Sequence, residues 1–230
     1  MSVALPLVAA LVVILAGGLA LATALKRQTA RRREDFEELA ARRSWQLNFN
    51  RESLGRPAVT RFQPRSGAKW LVESRARPGE PKGAEGQATE FSARDPHWSD
   101  GLFIMAPPMA PELAALAGLI TGPLEGEIAE KLLTRLVGPS LATEAKGLRL
   151  QEGPEGVTIL ASTALGHRFE TAPMARALLG WEPVARGERG QPVLIIGRDG
   201  MRLRLRRSLG RASDMERFID LSLELARLGA

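Results

Sequence analysis

FEELAARRSWQLNF, residues 36–49, is where the chain changes its period. Up to Arg43 the apolar positions recur at helical spacing. Phe36, Leu39 and Ala40 fall on one face, and Glu38 and Arg42 stand four apart in the order that favours a helix. From Trp45 the repeat drops to two. Trp45, Leu47 and Phe49 alternate with Gln46 and Asn48, the pattern of a half-buried strand. A helix that feeds a strand across Ser44 sets the class as α+β, with a strand-rich body behind a leading helix.

Upstream, Lys26 to Arg43 contains neither proline nor glycine, so a basic helical stalk over 26–44 is expected. Before it, Met1 to Leu25 carries no charged side chain. The 23 residues from Val3 to Leu25 would rise roughly 34 Å as a helix, against a hydrocarbon core of roughly 30 Å. Thr23 is the only polar side chain there, and its hydroxyl can bond a carbonyl one turn back. Pro6 lies in the first turn, where a missing N–H costs little. A cleaved signal peptide would need a basic start and a shorter apolar core. Ala22-Thr23-Ala24 could supply its cleavage site, but the start is not basic and the run is long. Residues 1–25 are therefore expected to be a single transmembrane anchor.

Lys26, Arg27, Arg31, Arg32 and Arg33 follow the span directly, and nothing comparable precedes it. Basic flanks stay in the cytoplasm, so the expected localisation is the inner (plasma) membrane, with the N-terminus outside and the body inside. The absence of cysteine fits a reducing compartment. Ala16, Ala20 and Ala24 recur every four residues, as do Gly18 and Ala22. Small residues so spaced let helix backbones approach and could serve a membrane-protein partner, but an Ala- and Gly-rich segment shows the same spacing by composition alone, which is the favoured reading.

Downstream, Ala58–Phe62, Lys69–Arg77, Gln87–Ala93 and Leu102–Met105 read as further strands, giving a meander of about five over 45–106. Residues 77–86 read as a loop. Pro107, Pro108 and Pro111 stiffen the next connection, and a boundary to a mixed helix/strand lobe over 107–230 is expected there. Helices are expected over 111–119 and 124–137. A strand–strand–helix order then occurs twice, without residue-level identity, which duplication and coincidence explain equally well. Leu148–Leu150, Val157–Leu160 and a helix over Pro173–Leu179 are matched by Val193–Ile196, Met201–Leu205 and a closing amphipathic helix over Asp214–Leu228. Asp199-Gly200 signals the second hairpin, and Ser213 with Glu216 reads as a capping box.

The net charge of +6 is unevenly placed. Residues 26–77 hold 14 basic and 6 acidic side chains, while 78–230 hold 18 and 20. The excess therefore belongs next to the anchor, where anionic lipid headgroups are the natural counterpart. Nucleic acid is the weaker candidate, since no zinc-ligand spacing, RNA-binding aromatic signature or helix-turn-helix is present. The sharpest cationic feature is Arg198–Arg211. On an extended strand Arg202, Arg204 and Arg206 would share one face and Met201, Leu203 and Leu205 the other. Such an array could grip phosphates; it could equally make an edge strand soluble.

Catalytic candidates are few. His97 lies in a polar loop with Asp95 and Asp100, and His167 sits in a turn. No Gly-x-Ser-x-Gly, P-loop or dinucleotide fingerprint occurs, and tyrosine is absent. The expectation is a non-catalytic accessory or scaffold protein without a cofactor or metal. Its contact residues would be Lys26, Arg27, Arg31, Arg32, Arg33, Arg202, Arg204 and Arg206. The alternatives are a membrane-tethered enzyme acting on a lipid or envelope precursor through Asp95, His97 and Asp100, or a membrane-tethered nucleic-acid-binding regulator. An anchor, a basic stalk and an α+β body make a plan similar to that of many bacterial membrane proteins.

Overall fold

A computed structural model describes residues 4–50, 58–76, 87–94, 101–108, 148–162, 168–181 and 190–229. Within them the chain is α+β, with three helices on a large antiparallel sheet. Helix α1, Ala4–Arg42, runs 39 residues without interruption, roughly 58 Å of rise. Among its described side chains, Phe36, Leu39 and Ala40 are buried against the body. Arg43 N–H donates to the Leu39 carbonyl at 3.0 Å and Ser44 N–H to that of Ala41 at 3.2 Å, closing the last turn. Ser44 then takes φ +55°, a left-handed step that reverses the chain into the sheet.

Among the described residues no helix is long and apolar enough to cross a membrane. The side chains at 4–16, 19, 21, 22 and 25, which carry the transmembrane expectation, lie outside those residues. Thr23 Oγ1 does donate to the Ala20 carbonyl, at 2.8 Å.

The strands are β1 Trp45–Asn50, β2 Ala58–Pro64, β3 Trp70–Ala76, β4 Ala88–Ala93, β5 Phe103–Ala106, β6 Arg149–Gln151, β7 Thr158–Ala161, β8 Val193–Gly197 and β9 Gly200–Leu205. They form one nine-stranded sheet in the order β1-β2-β3-β4-β9-β8-β5-β7-β6, every neighbour antiparallel. The meander ends at β4, one strand sooner than expected. β9, not β5, pairs with β4. The reason lies in the faces. β4 and β9 are each apolar on one side and polar on the other. β5 is buried at all four positions and pairs with β7 and β8, which are likewise buried on both sides.

One face of the sheet carries the main core. Trp45, Phe62, Trp70, Val72, Phe91, Leu203, Leu194, Phe103 and Ile159 line it. Helix α2, Thr171–Leu179, and helix α3, Ala212–Leu228, add Met174, Met215, Phe218 and Ile219. Trp181 follows α2, meets Phe218 with ring centroids 6.0 Å apart, and donates from Nε1 to the Gly190 carbonyl at 2.9 Å. On the opposite face the sheet divides. Ile195, Ile104 and Leu160 are buried there as well, whereas β1 to β4 and β9 present mainly polar side chains, with Val59 and Leu71 partly buried among them.

The expected closing helix is present, but its capping box is not. Helix α3 starts at Ala212 with Arg211 as N-cap and no side-chain cap bond. Ser213 is already helical. Glu216 is drawn instead into ion pairs with Arg42 at 2.7 Å and Arg43 at 3.1 Å, and Arg43 also meets Asp220. The expected helices over 111–119 and 124–137 and the loop over 77–86 lie outside the described residues.

Candidate functional site

The predicted arginines fall into two places. Arg202 and Arg204 stand on β9, the fifth strand of nine, so an edge-strand role is overturned. Arg202 lies opposite Ser92 on β4 and Ile195 on β8; Arg204 lies opposite Glu90 and Val193. Their neighbours form a charged ladder across the polar face. Arg61 on β2 faces Glu73 on β3, which faces Glu90 on β4, which faces Arg204. Glu73 accepts from Arg61 Nε at 2.5 Å and from Arg75 Nη2 at 2.9 Å. Burial alone would raise the Glu73 carboxyl, but the two guanidinium bonds and their charges outweigh it and hold the group below the usual range. Arg202 Nη2 pairs with Asp199 at 3.0 Å. The cations on this face thus stand among acids.

The second place is the loop between β9 and α3. β9 ends at Leu205, so Arg206 lies past the strand and strand alternation no longer assigns its side. The loop is held from the sheet by hydroxyls. Ser74 on β3 and Thr89 on β4 lie 3.0 Å apart, and Ser74 lies 3.2 Å from Ser208. Thr89 Oγ1 donates to the Arg207 carbonyl at 2.9 Å. The Leu209 N–H is shared between Ser74 Oγ at 3.3 Å and Thr89 Oγ1 at 3.2 Å. With its own proton committed to Arg207, Thr89 accepts from Ser74, and Ser208 can donate to Ser74.

From the other side α1 reaches the same loop. Arg32 Nη2 donates to the Leu209 carbonyl at 2.9 Å, while its guanidinium lies 5.3 Å from the Phe36 ring. Burial lowers the Arg32 pKa. Arg33 pairs with Glu37 at 2.8 Å and lies over Phe49. Lys26, Arg27 and Arg31 are exposed. The fold therefore brings Leu209 and Gly210 of this loop against Arg32 of α1, and keeps Arg202 and Arg204 on the sheet. Arg207 Nε and Nη2 are buried without a hydrogen-bond partner among the described residues. The run Arg198–Arg211 had already flagged this residue by charge; only the end of β9 reveals that it leaves the strand.

An open groove of about 580 Å³ at the β2–β3 hairpin holds Arg65, Lys69 and Arg94 beside Gln46, Gln63 and Ser92. With neither histidine nor carboxylate among its described lining, it offers charge without a general acid or base. Of the small-residue face, Gly18, Ala20 and Ala24 are exposed; the side chains of Ala16 and Ala22 lie outside the described residues, as do Asp95, His97, Asp100 and His167. Among the described residues no group of three His, Cys, Asp or Glu could hold a metal. The chain matches no protein-family model, no curated protein and no solved structure.

Proposed function

We propose that this chain is a single-pass inner-membrane protein that holds a non-catalytic α+β binding or scaffold domain at the cytoplasmic surface. One observation carries the reading. Helix α1 continues unbroken from Ala4 to Arg42, and among its described side chains those in the core cluster are Phe36, Leu39 and Ala40, all near its end. Gly17, Gly18, Ala20, Thr23 and Ala24 are exposed. A half-helix of this apolar composition, exposed at each side chain described between 17 and 24, needs another solvent, and lipid is the one its length and composition suit. The five cations that follow it favour the cytoplasmic leaflet.

The full chain should sediment with membranes and resist alkaline carbonate. Its body should be digested by protease only when the inner membrane is opened. Replacing both Val12 and Val13 by arginine adds roughly 5–7 kcal/mol of insertion cost and should release the chain. Recovery of the unaltered chain in the carbonate supernatant would overturn the proposal.

A further inference from the structure

At one end of the polar sheet face, cations gather without acids. Arg65 follows the end of β2, Lys69 precedes the start of β3 and Arg94 follows the end of β4. These strands are consecutive neighbours, each roughly 5 Å from the next, so the three side chains are rooted side by side across roughly 10 Å. All three are exposed, and all three line the open groove at the β2–β3 hairpin together with Gln46, Gln63 and Ser92. Among the described residues no carboxylate lies within ion-pair distance of Arg65, Lys69 or Arg94. The acids on the flanking rungs are already engaged. Glu73 is held by Arg61 and Arg75 and Asp199 by Arg202, and Glu90 lies opposite Arg204.

Position and chemistry choose the occupant. Trp45 opens β1 directly after α1 and pairs with Pro64, next to Arg65. The groove thus lies at the end of the body that α1 reaches last, about 25 Å along the helix axis from Leu25. The headgroup layer of one leaflet is roughly 5–8 Å deep, so lipid is out of its reach. Trp70, the aromatic residue of its described lining, is buried and offers a nucleobase no stacking platform. Gln63 Nε2 donates to Gln46 Oε1 at 2.6 Å, which leaves the Gln46 amide N–H groups and the Gln63 carbonyl oxygen to a ligand, donor beside acceptor. A peptide group uses both; an ionised phosphate uses the donor alone. Resting on the reading of the body as an anchored binding domain, we propose that this groove docks an extended acidic segment of a protein partner. Alternate carboxylates, about 6.6 Å apart on one side of such a segment, meet Arg65, Lys69 and Arg94, and its backbone meets Gln46 and Gln63.

The test uses the full chain in non-ionic detergent and a short fluorescent peptide that alternates glutamate with alanine. Binding should weaken several-fold as salt rises from about 0.05 to about 0.3 M. The same peptide with glutamine for glutamate should bind roughly tenfold less well. Lys69→Glu combined with Arg94→Glu should weaken the acidic peptide by roughly tenfold or more. Arg149→Glu combined with Arg168→Glu changes the net charge equally at exposed sites elsewhere, and should weaken it by less than about twofold. Arg65→Gln, with an expected loss of about threefold, serves if the first double variant does not fold. A parent chain that fails to bind the acidic peptide, or equal losses in the two double variants, overturns the groove. Displacement of the peptide by pyrophosphate or by oligothymidylate at a lower concentration than by unlabelled peptide overturns its assignment to a protein segment. Carbonate extraction reads the anchor separately. Loss of peptide binding by the Lys69 and Arg94 variant in a chain that still pellets supports the groove, and a parent chain that binds the peptide but is released by carbonate sinks the anchored reading on its own.

Discussion

Glu73 is a carboxylate whose environment works in two directions. Burial raises its pKa, and the bonds and charges of Arg75 and Arg61 lower it further than burial raises it. A depressed folded pKa gives stability that is complete above the ordinary glutamate value of about 4.3 and is lost as pH falls through the folded value. Both arginine partners are about half exposed, so Glu73→Gln should cost less than about 1 kcal/mol near neutrality. Urea titrations of both proteins from about pH 6 down to about pH 3 should show that gap closing; a constant gap would assign the loss to packing instead. The alternation that placed Arg202 and Arg204 together was legible in β9 itself. Their acidic surroundings were not, because Glu90 meets Arg204 through a strand pair more than a hundred residues apart in the chain. Arg207 was marked by charge, but its place was not legible for a local reason: alternation assigns sides only while a strand lasts, and this one stops at Leu205.

At the level of single elements, local pattern was a good guide. The switch of period at Ser44 marks the real junction of α1 and β1, and Trp45, Leu47 and Phe49 do face the core. The pattern did not show how the junction is made. Ser44 is the one non-glycine residue with positive φ among the described residues. Serine tolerates that region poorly, so Ser44→Gly should stabilise the chain by up to about 1 kcal/mol after the added freedom of the unfolded state is subtracted. Ser44→Val should destabilise it, and thermal melts of the two variants shifting in the same direction would refute this account. The start of α3 was misread because a capping box assumes a free serine and a free glutamate. Here Arg211 is extended, with φ −108° and ψ 141°, and Glu216 serves Arg42 and Arg43. Tertiary ion pairing has taken the residue that local capping would use.

Over the whole molecule, the β4–β9 ladder joins strands formed before residue 107 to strands formed after 190. Trp45 and Trp70 lie on one side of that join and Trp181 on the other, all in the same core. Unfolding should therefore be one transition. Single-tryptophan variants retaining Trp70 or Trp181 should report the same denaturant midpoint, and separated midpoints would mean that the two parts melt independently. Three prolines mark a break in local structure, but whether a sheet bridges the break depends on which strands pair across it. That information is spread over distant faces: the one-sided polarity of β4 and β9 against the two-sided burial of β5. Between Leu19 and Arg42 the leading helix has neither proline nor glycine, and Arg32, Phe36 and Leu39 fasten its lower turns to loop and sheet. A rod fastened this way has no swivel. Held in a bilayer, it would carry the body at a set altitude and heading, and any tilt of the rod would turn the whole body with it.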